Sequence, residues 1–287
     1  MPTRFLIVPQ WQGSSSSRAM QLLDGAAAIA GDLPASATTT VDVPMEAGES
    51  LGSGVLRLSS ITTIRARAGA ALTELSAIGE GAIVTIGGDC GAELASVQHA
   101  VASRSPGTVA LVWLDAHGDL NTPDTSPSGA FHGMVLRALL GEAPEPVAAM
   151  GNSTLSPNSV VLAGTRQLDD SEAAYIDETG IRMLSPEKLH TPDALVAAVA
   201  ETEADAVYVH IDLDVLDPGA ISGVQFPEPF GLEPDELVAV IRALRSRFEL
   251  AGAGITEFAP RSPDAASDDL PVILRVLGAL TRPNQGS

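Results

Sequence analysis

Three metal-type ligands stand at every second position in Asp115-Ala116-His117-Gly118-Asp119. They follow directly on an apolar run, Val109-Ala110-Leu111-Val112-Trp113-Leu114. Residues i, i+2 and i+4 of an extended chain share one face, so Asp115, His117 and Asp119 are expected to point together. Two carboxylates and an imidazole converging at the end of a buried strand suit a divalent metal. Taken alone, the same residues also fit the start of a solvated loop. A second stretch repeats the pattern. The apolar run Val207-Tyr208-Val209-His210-Ile211 leads into Asp212-Leu213-Asp214, followed by Asp217-Pro218. Asp212 and Asp214 again share a face by the period of two. Carboxylates near a core are costly to bury unless a cation neutralises them, so two such strand ends point to one metal centre.

The rest of the chain supplies elements that would position these ends. Strand-like runs are expected at Arg4–Pro9, Thr38–Pro44, Ala82–Ile86, Val109–Leu114, Ser159–Ala163, Ile181–Leu184, Val207–Ile211 and Gly254–Phe258. Helical patterns lie at Arg18–Ala30, Val55–Ile78, Glu93–Ser103, Met134–Leu140, Asp170–Thr179, Thr191–Glu203, Pro234–Phe248 and Asp269–Leu280. Asp169 stands where a helix N-cap belongs, and Pro192 suits a first turn. Asn121–Phe131 and Pro218–Gly231 are rich in breakers and read as loops. Strands alternating with helices imply right-handed crossovers and a mostly parallel sheet covered on both faces, an α/β fold. In such sheets the site lies at the carboxyl ends of the strands.

Composition narrows the function further. The chain has 287 residues, 45% of them hydrophobic, enough for a large core. Its formal charge is −20, from 36 acids against 16 bases. Nucleic acid and anionic membranes are poor partners for that field, whereas metals and cationic ligands are favoured. Acidity that merely maintains solubility fits the same number. No uninterrupted apolar run approaches the roughly 18 residues of a membrane span, and Met1–Arg4 leads straight into a strand-like run without a signal-peptide pattern. A cytoplasmic protein is expected. The lone Cys90 excludes an intramolecular disulfide.

Four motifs occur in order: Gly87-Gly88-Asp89-Cys90, Asp115 to Asp119, Asp212-Leu213-Asp214 with Asp217-Pro218, and Thr256-Glu257. Together they resemble the ureohydrolase family of arginases, agmatinases and relatives, over nearly the whole chain. The resemblance implies a three-layer α/β/α sandwich, here a single domain over 1–281 with a disordered tail at 282–287. It implies two Mn²⁺ ions per chain, held by Asp115, His117, Asp119, Asp212 and Asp214, and by Cys90 where the family usually has histidine. It further implies hydrolysis of a guanidino group to urea and an amine by a metal-bridging hydroxide, which a pair of ions makes acidic enough near neutral pH. Glu257 resembles the carboxylate that pairs with the guanidinium; its rival reading is a cap on the last strand. Asp119 is placed to take the hydroxide's proton.

Read against arginases, Asn121 and Ser128 resemble the groups that hold an α-carboxylate. Asp169 resembles the acid near the α-amino group, a role compatible with capping. His132 resembles the proton-shuttling histidine, the alternative being ordinary loop packing. These four favour an α-amino acid such as L-arginine over agmatine. The partner is thus a small cationic guanidino substrate, and the resemblance implies a homo-oligomer, a trimer or hexamer.

Some positions depart from the family. Cys90 offers a soft thiolate that suits Zn²⁺ better than Mn²⁺, so one metal position is expected to be weak or to take another ion. A buried thiol that ligates nothing is the other reading. Ala130 stands where arginases carry an asparagine, and Gln225-Phe226-Pro227 replaces small residues. Cys90, Gly118 and Asn121-Thr122-Pro123 are similar to a rarer branch that hydrolyses Nω-hydroxy-L-arginine to hydroxyurea and ornithine. Three alternatives therefore stand beside plain arginine hydrolysis: that branch, a non-catalytic metal-binding relative, and a one-zinc deacetylase of similar layout.

Overall fold

Every second residue of the central strands packs on one helical layer and the intervening residues on the other. In the strand Val109–Leu114, Ala110, Val112 and Leu114 join one core, while Val109, Leu111 and Trp113 join a second. That division needs a sheet buried on both faces, as an all-parallel sheet demands. The computed structural model describes residues 3–79, 81–149 and 151–282. Its eight strands are β1 (Arg4–Val8), β2 (Thr38–Thr40), β3 (Ile83–Gly87), β4 (Val109–Leu114), β5 (Val160–Ala163), β6 (Arg182–Leu184), β7 (Ala206–Asp212) and β8 (Glu249–Thr256). All pair in parallel, in the order β2-β1-β3-β8-β7-β4-β5-β6.

The helices are α1 (Gln21–Gly31), α2 (Leu58–Ile78), α3 (Leu94–Ala102), α4 (Val135–Leu139), α5 (Asp170–Thr179), α6 (Pro186–Leu189), α7 (Pro192–Ala200), α8 (Pro234–Arg247) and α9 (Pro263–Thr281). Residues of α1 and α6 to α9 fill the core on one face. Those of α2 to α5 fill the cores on the other. The result is the expected α/β/α sandwich.

Several boundaries differ from the sequence reading, each for a local reason. The last strand starts at Glu249, five residues before the expected Gly254. Its Ala251-Gly252-Ala253-Gly254 run lacks the branched residues that mark strands, because large side chains lie against it. A Cβ on Gly252 would meet the Tyr208 ring at 2.8 Å, and one on Gly254 would meet Glu93 at 1.7 Å. The last helix starts at Pro263, not Asp269, capped by the Ser262 hydroxyl, and continues through Pro271. The second strand stops at Thr40, short of Pro44, which has no N–H to give an edge. The second helix starts at Leu58, not Val55, because Arg57 takes a left-handed φ of 57°. The expected tail at 282–287 lies outside the described residues apart from Arg282, which closes α9.

Chain order and spatial order diverge at the centre. The motif-bearing strands come as β3, β4, β7, β8 in sequence but as neighbours β3-β8-β7-β4 in the sheet. All four motifs are thereby carried to adjacent carboxyl ends, where the strand order reverses and a crevice opens.

Candidate metal centre

Local backbone devices aim the acids. Asp115 follows β4, and its N–H still bonds to Ala163 of β5. The carboxylate is braced below by Trp113, whose Nε1 donates to Oδ2 at 3.0 Å. Above, the His117 N–H donates to Oδ1 at 2.6 Å. That turn ends the strand, so extended-chain alternation stops at Asp115. His117 and Asp119 reach the site through loop geometry, with Asp119 at a left-handed φ of 52°. Asp214 likewise sits in a 3-10 turn opened by Asp212, whose Oδ1 accepts the Asp214 N–H at 2.8 Å. His117 and Asp214 gather with Asp115, Asp119 lines the cavity beside His117, Asp212 and Asp214, and the period of two is not the cause beyond the first acid of each motif.

The third and fourth motifs meet in the same place. The Glu257 N–H donates to the Gly88 carbonyl at 2.7 Å, joining the ends of β8 and β3. Cys90 Sγ lies 3.2 Å from Asp212 Oδ2 and 3.8 Å from Glu257 Oε1. Asp89 anchors this corner, accepting from Gln10 Nε2, from the Gly13 N–H and from the Gly91 N–H at 2.8–2.9 Å. Among the described residues, three overlapping groups have ligand atoms close enough for one ion each. They are Cys90 with Asp115 and His210, Cys90 with Asp212 and Glu257, and Asp115 with His117 and Asp214.

The electrostatics favour a cation. Asp119 and Asp212 are driven well above the carboxylate range, by burial first and then by neighbouring aspartates. Asp214 is pushed up to about 6 by burial and by Asp115. Burial and Glu257 raise Asp89 to about 7. The Cys90 thiol is raised by burial and by Asp212. Asp115 is the exception: burial opposes its charge, but bonds from His117 and His210 hold it below the usual range. His117 is correspondingly raised against the pull of burial, through Asp115 and Asp214, with Nδ1 3.0 Å from Asp214 Oδ2. Asp119 Oδ2 and Glu257 Oε2 are buried without a hydrogen-bond partner. Oxygen-rich carboxylates, an imidazole and unsatisfied acceptors match the needs of divalent ions.

A cavity of about 210 Å³ opens above the cluster. His117, Asp119, Asp212 and Asp214 reach its floor, while Cys90, Asp115 and Glu257 lie deeper and are not among its lining. Asn121, Ser128, His132 and Asp169 all line it, as do Ser15, Glu172 and Phe226. Five of the lining residues are acids and none is Arg or Lys, so the opening favours a cation. Asn121 is held by Asp169, to which its amide donates at 2.8 Å, and by the hydroxyls of Ser171 and Thr125. Asp169 and Glu172 form a capping box on α5, and Glu172 Oε1 also accepts the Leu120 N–H. His132 lies in a 3-10 turn, Phe131–Met134. Its Nε2 is 3.2 Å from Ser15 Oγ and its Nδ1 3.7 Å from Glu257 Oε1, with the ring tilted on Phe226.

The arginase family model matches residues 12–270, and those residues carry every strand end that builds the centre. The chain belongs to the arginase family. Among its relatives, the Nω-hydroxy-L-arginine amidinohydrolase of Streptomyces lavendulae is 34% identical over 199 residues, 68% of each chain. The arginase of Staphylococcus aureus (strain MRSA252) is 34% identical over 141 residues, a match spanning 47% of this chain and only about half (46%) of the relative. The arginase of Entamoeba histolytica, solved with L-ornithine, superposes with a TM-score of 0.84 over 98% of this chain and 99% of its own, at 20% identity. That last likeness concerns the fold.

Sequence reasoning assigned no role to the residues that act through others. Arg166 donates to the carbonyls of Asp214, Gly164, Glu228 and Pro229, tying the Asp214 turn to the 218–231 loop. Asp217 shapes that loop by accepting from the Gly219, Phe230 and Gly231 N–H groups. Glu93 and His210 form a buried pair beneath Asp115. A titratable residue inside an apolar strand, as His210 is in β7, was the available signal.

Proposed function

We propose that this chain is a binuclear, metal-dependent amidinohydrolase that cleaves the guanidino group of an α-amino acid, L-arginine or a close analogue. The observation that supports it most is the convergence of Cys90, Asp115, His117, Asp119, Asp212 and Asp214 beneath an acidic cavity. These residues would hold two divalent ions, Mn²⁺ being the ion the family resemblance implies. When bound, such a pair lowers the pKa of a shared water towards neutrality and steadies charge as the attacked carbon becomes tetrahedral.

The chain's own groups then divide the work. Glu257 keeps one oxygen without a partner deep in the site, suited to a guanidinium N–H. Asp119, with its own free oxygen, accepts the proton released on attack. His132, raised above its ordinary pKa against burial by its contacts with Glu257, carries a proton to the departing amine through the nitrogen beside Ser15. At the mouth, Asn121 and Ser128 face an α-carboxylate and Asp169 an α-amino group. Ser128 Oγ accepts from the Ala130 N–H, so its own proton is free to donate outward.

A second reading concerns the substrate. Cys90 and the relative matched over 68% of the chain favour Nω-hydroxy-L-arginine, released as hydroxyurea. A hydroxyguanidine is less basic and makes a weaker demand on metal activation. Purified protein loaded with Mn²⁺ should release urea from L-arginine or hydroxyurea from the hydroxylated amino acid, and act far more slowly on agmatine. No turnover on any of these, with metal demonstrably bound, overturns the amidinohydrolase reading in favour of a non-catalytic metal-binding relative.

A further inference from the structure

His210 is the one imidazole of the centre that the family pattern does not call for. It lies on β7, two residues before Asp212 and on the same face, wholly buried. One nitrogen, Nε2, is 3.9 Å from Asp115 Oδ2. A ring nitrogen, Cys90 Sγ and an Asp115 oxygen all lie within 4.8 Å of one another. Three ligands around one ion, at roughly 2.0–2.3 Å each, stand up to about 4.5 Å apart. Small side-chain adjustments would close the set.

Two features argue against His210 as a passive core residue. First, neither ring nitrogen has a well-formed hydrogen bond, although the ring is fully enclosed. Buried imidazole nitrogens left in this way are rare unless something else engages them. Second, the ring is aimed. It stacks on Trp113 at 3.4 Å and 14°, and its Nδ1 faces Glu93 Oε1 at 3.3 Å. Glu93 is itself completely buried, with the Tyr208 phenol as its other polar neighbour. It fits there because residue 254, opposite His210 in the β7–β8 register, is glycine. A carboxylate on one imidazole nitrogen, with the other directed at a cluster of acids, is the arrangement that orients histidine ligands in metal sites.

We propose that His210 Nε2 is a metal ligand, completing with Cys90 Sγ and Asp115 a sulfur–nitrogen–oxygen position that Glu93 orients from behind. This rests on the metal-dependent reading above and assigns its two positions different character. Asp115 Oδ1 lies 3.4 Å from His117 Nδ1, and Oδ2, which also accepts from Trp113, lies 3.9 Å from His210 Nε2, so the carboxylate reaches both sets of ligands. The imidazole absent from the Gly87–Cys90 segment is thereby supplied from β7. A thiolate and an imidazole make the inner position soft, whereas His117 with aspartates keeps the outer one oxygen-rich. The inner position therefore selects Zn²⁺ or Co²⁺, and the outer one accepts Mn²⁺.

The test uses the full-length protein, stripped of metal and given one equivalent of Zn²⁺, then Mn²⁺. Zinc-edge X-ray absorption on wild type and on His117→Ala should show one sulfur and at least one imidazole neighbour in both, since His210 supplies the nitrogen that His117 cannot. In His210→Phe, which keeps a ring to stack on Trp113, Zn²⁺ affinity should fall about ten- to a hundredfold or more, and bound Mn²⁺ should stay within about twofold. Glu93→Gln should weaken Zn²⁺ binding less than His210→Phe does. Zinc bound with no imidazole in His117→Ala overturns this assignment and leaves the amidinohydrolase reading standing. Failure of the wild type to bind any divalent ion overturns both. The His117→Ala spectrum decides the matter even if the His210 variant fails to fold.

Discussion

His132 differs from the deeper residues in what its loss would do. It lines the cavity and supplies no ligand atom to the candidate ion-binding groups, although its ring reaches Glu257 of one of them, so its removal should leave most of the metal content in place. Under the proposed mechanism, His132→Ala lowers kcat by about 10²- to 10⁴-fold, the usual worth of a positioned acid or base, with KM within a few-fold. An unchanged kcat would mean that His132 only packs on Phe226. Cys90→His tests the neighbouring corner. If Cys90 is a ligand, an imidazole there should raise Mn²⁺ affinity by a factor of about ten, near 1.4 kcal/mol, as read by calorimetry. Unaltered affinity and rate would show that residue 90 does not touch the ions.

At the scale of elements, β8 is built around what leans on it. Its glycines give space to Tyr208 and Glu93 rather than flexibility to the strand. Gly254→Ala would drive a methyl group into the Glu93 carboxylate at 1.7 Å. Overpacking of this kind costs about 1–3 kcal/mol, a fall of roughly 2–10 °C in Tm for a domain of this size. Gly278→Ala is the contrasting case, on α9 with nothing within 4 Å of the new Cβ. There the substitution should stabilise by about 0.4–1 kcal/mol. Equal Tm values for the two variants would contradict the crowding inferred at residue 254.

For the whole molecule, the acids at the strand ends set how stability depends on pH. Asp89 and Asp214 move from an ordinary 3.8 up to about 7 and about 6 on folding. An acid with a raised folded pKa holds its proton more tightly folded than unfolded. Its penalty is absent below the unfolded value, grows as pH rises from about 4 to about 7, and is complete above that. His117, raised on folding, acts in the same sense: its stabilising charge is fully present below about 6.5 and declines as pH rises further. Asp115, held low, works the other way, but only as pH falls below the ordinary carboxylate range. Metal-free protein should therefore melt at a higher temperature at pH 5.5 than at pH 8. Divalent ions bind deprotonated ligands, so the metal-induced rise in Tm should be larger at pH 8. Differential scanning calorimetry that finds equal rises at both pH values would refute this.

The sequence by itself determined which residue types gather and at which strand ends. Acids behind apolar runs are informative because burying them uncompensated is so unfavourable, and four such ends in order identified the family. The alternation of hydrophobic strands with helices likewise sufficed for a parallel sheet between two helical layers. Tertiary structure decided what spacing alone could not. The turns at Asp115 and Asp212, not strand periodicity, aim His117, Asp119 and Asp214. The order β3-β8-β7-β4 makes neighbours of segments up to 167 residues apart, such as Cys90 and Glu257. It also sets Glu93, on a turn after β3, behind His210 on β7, a pairing invisible to local pattern because both residues read as strays within apolar surroundings. Side-chain chemistry is written locally, whereas which distant groups share a desolvated space depends on how strands are ordered, and that is settled by packing the whole sheet at once.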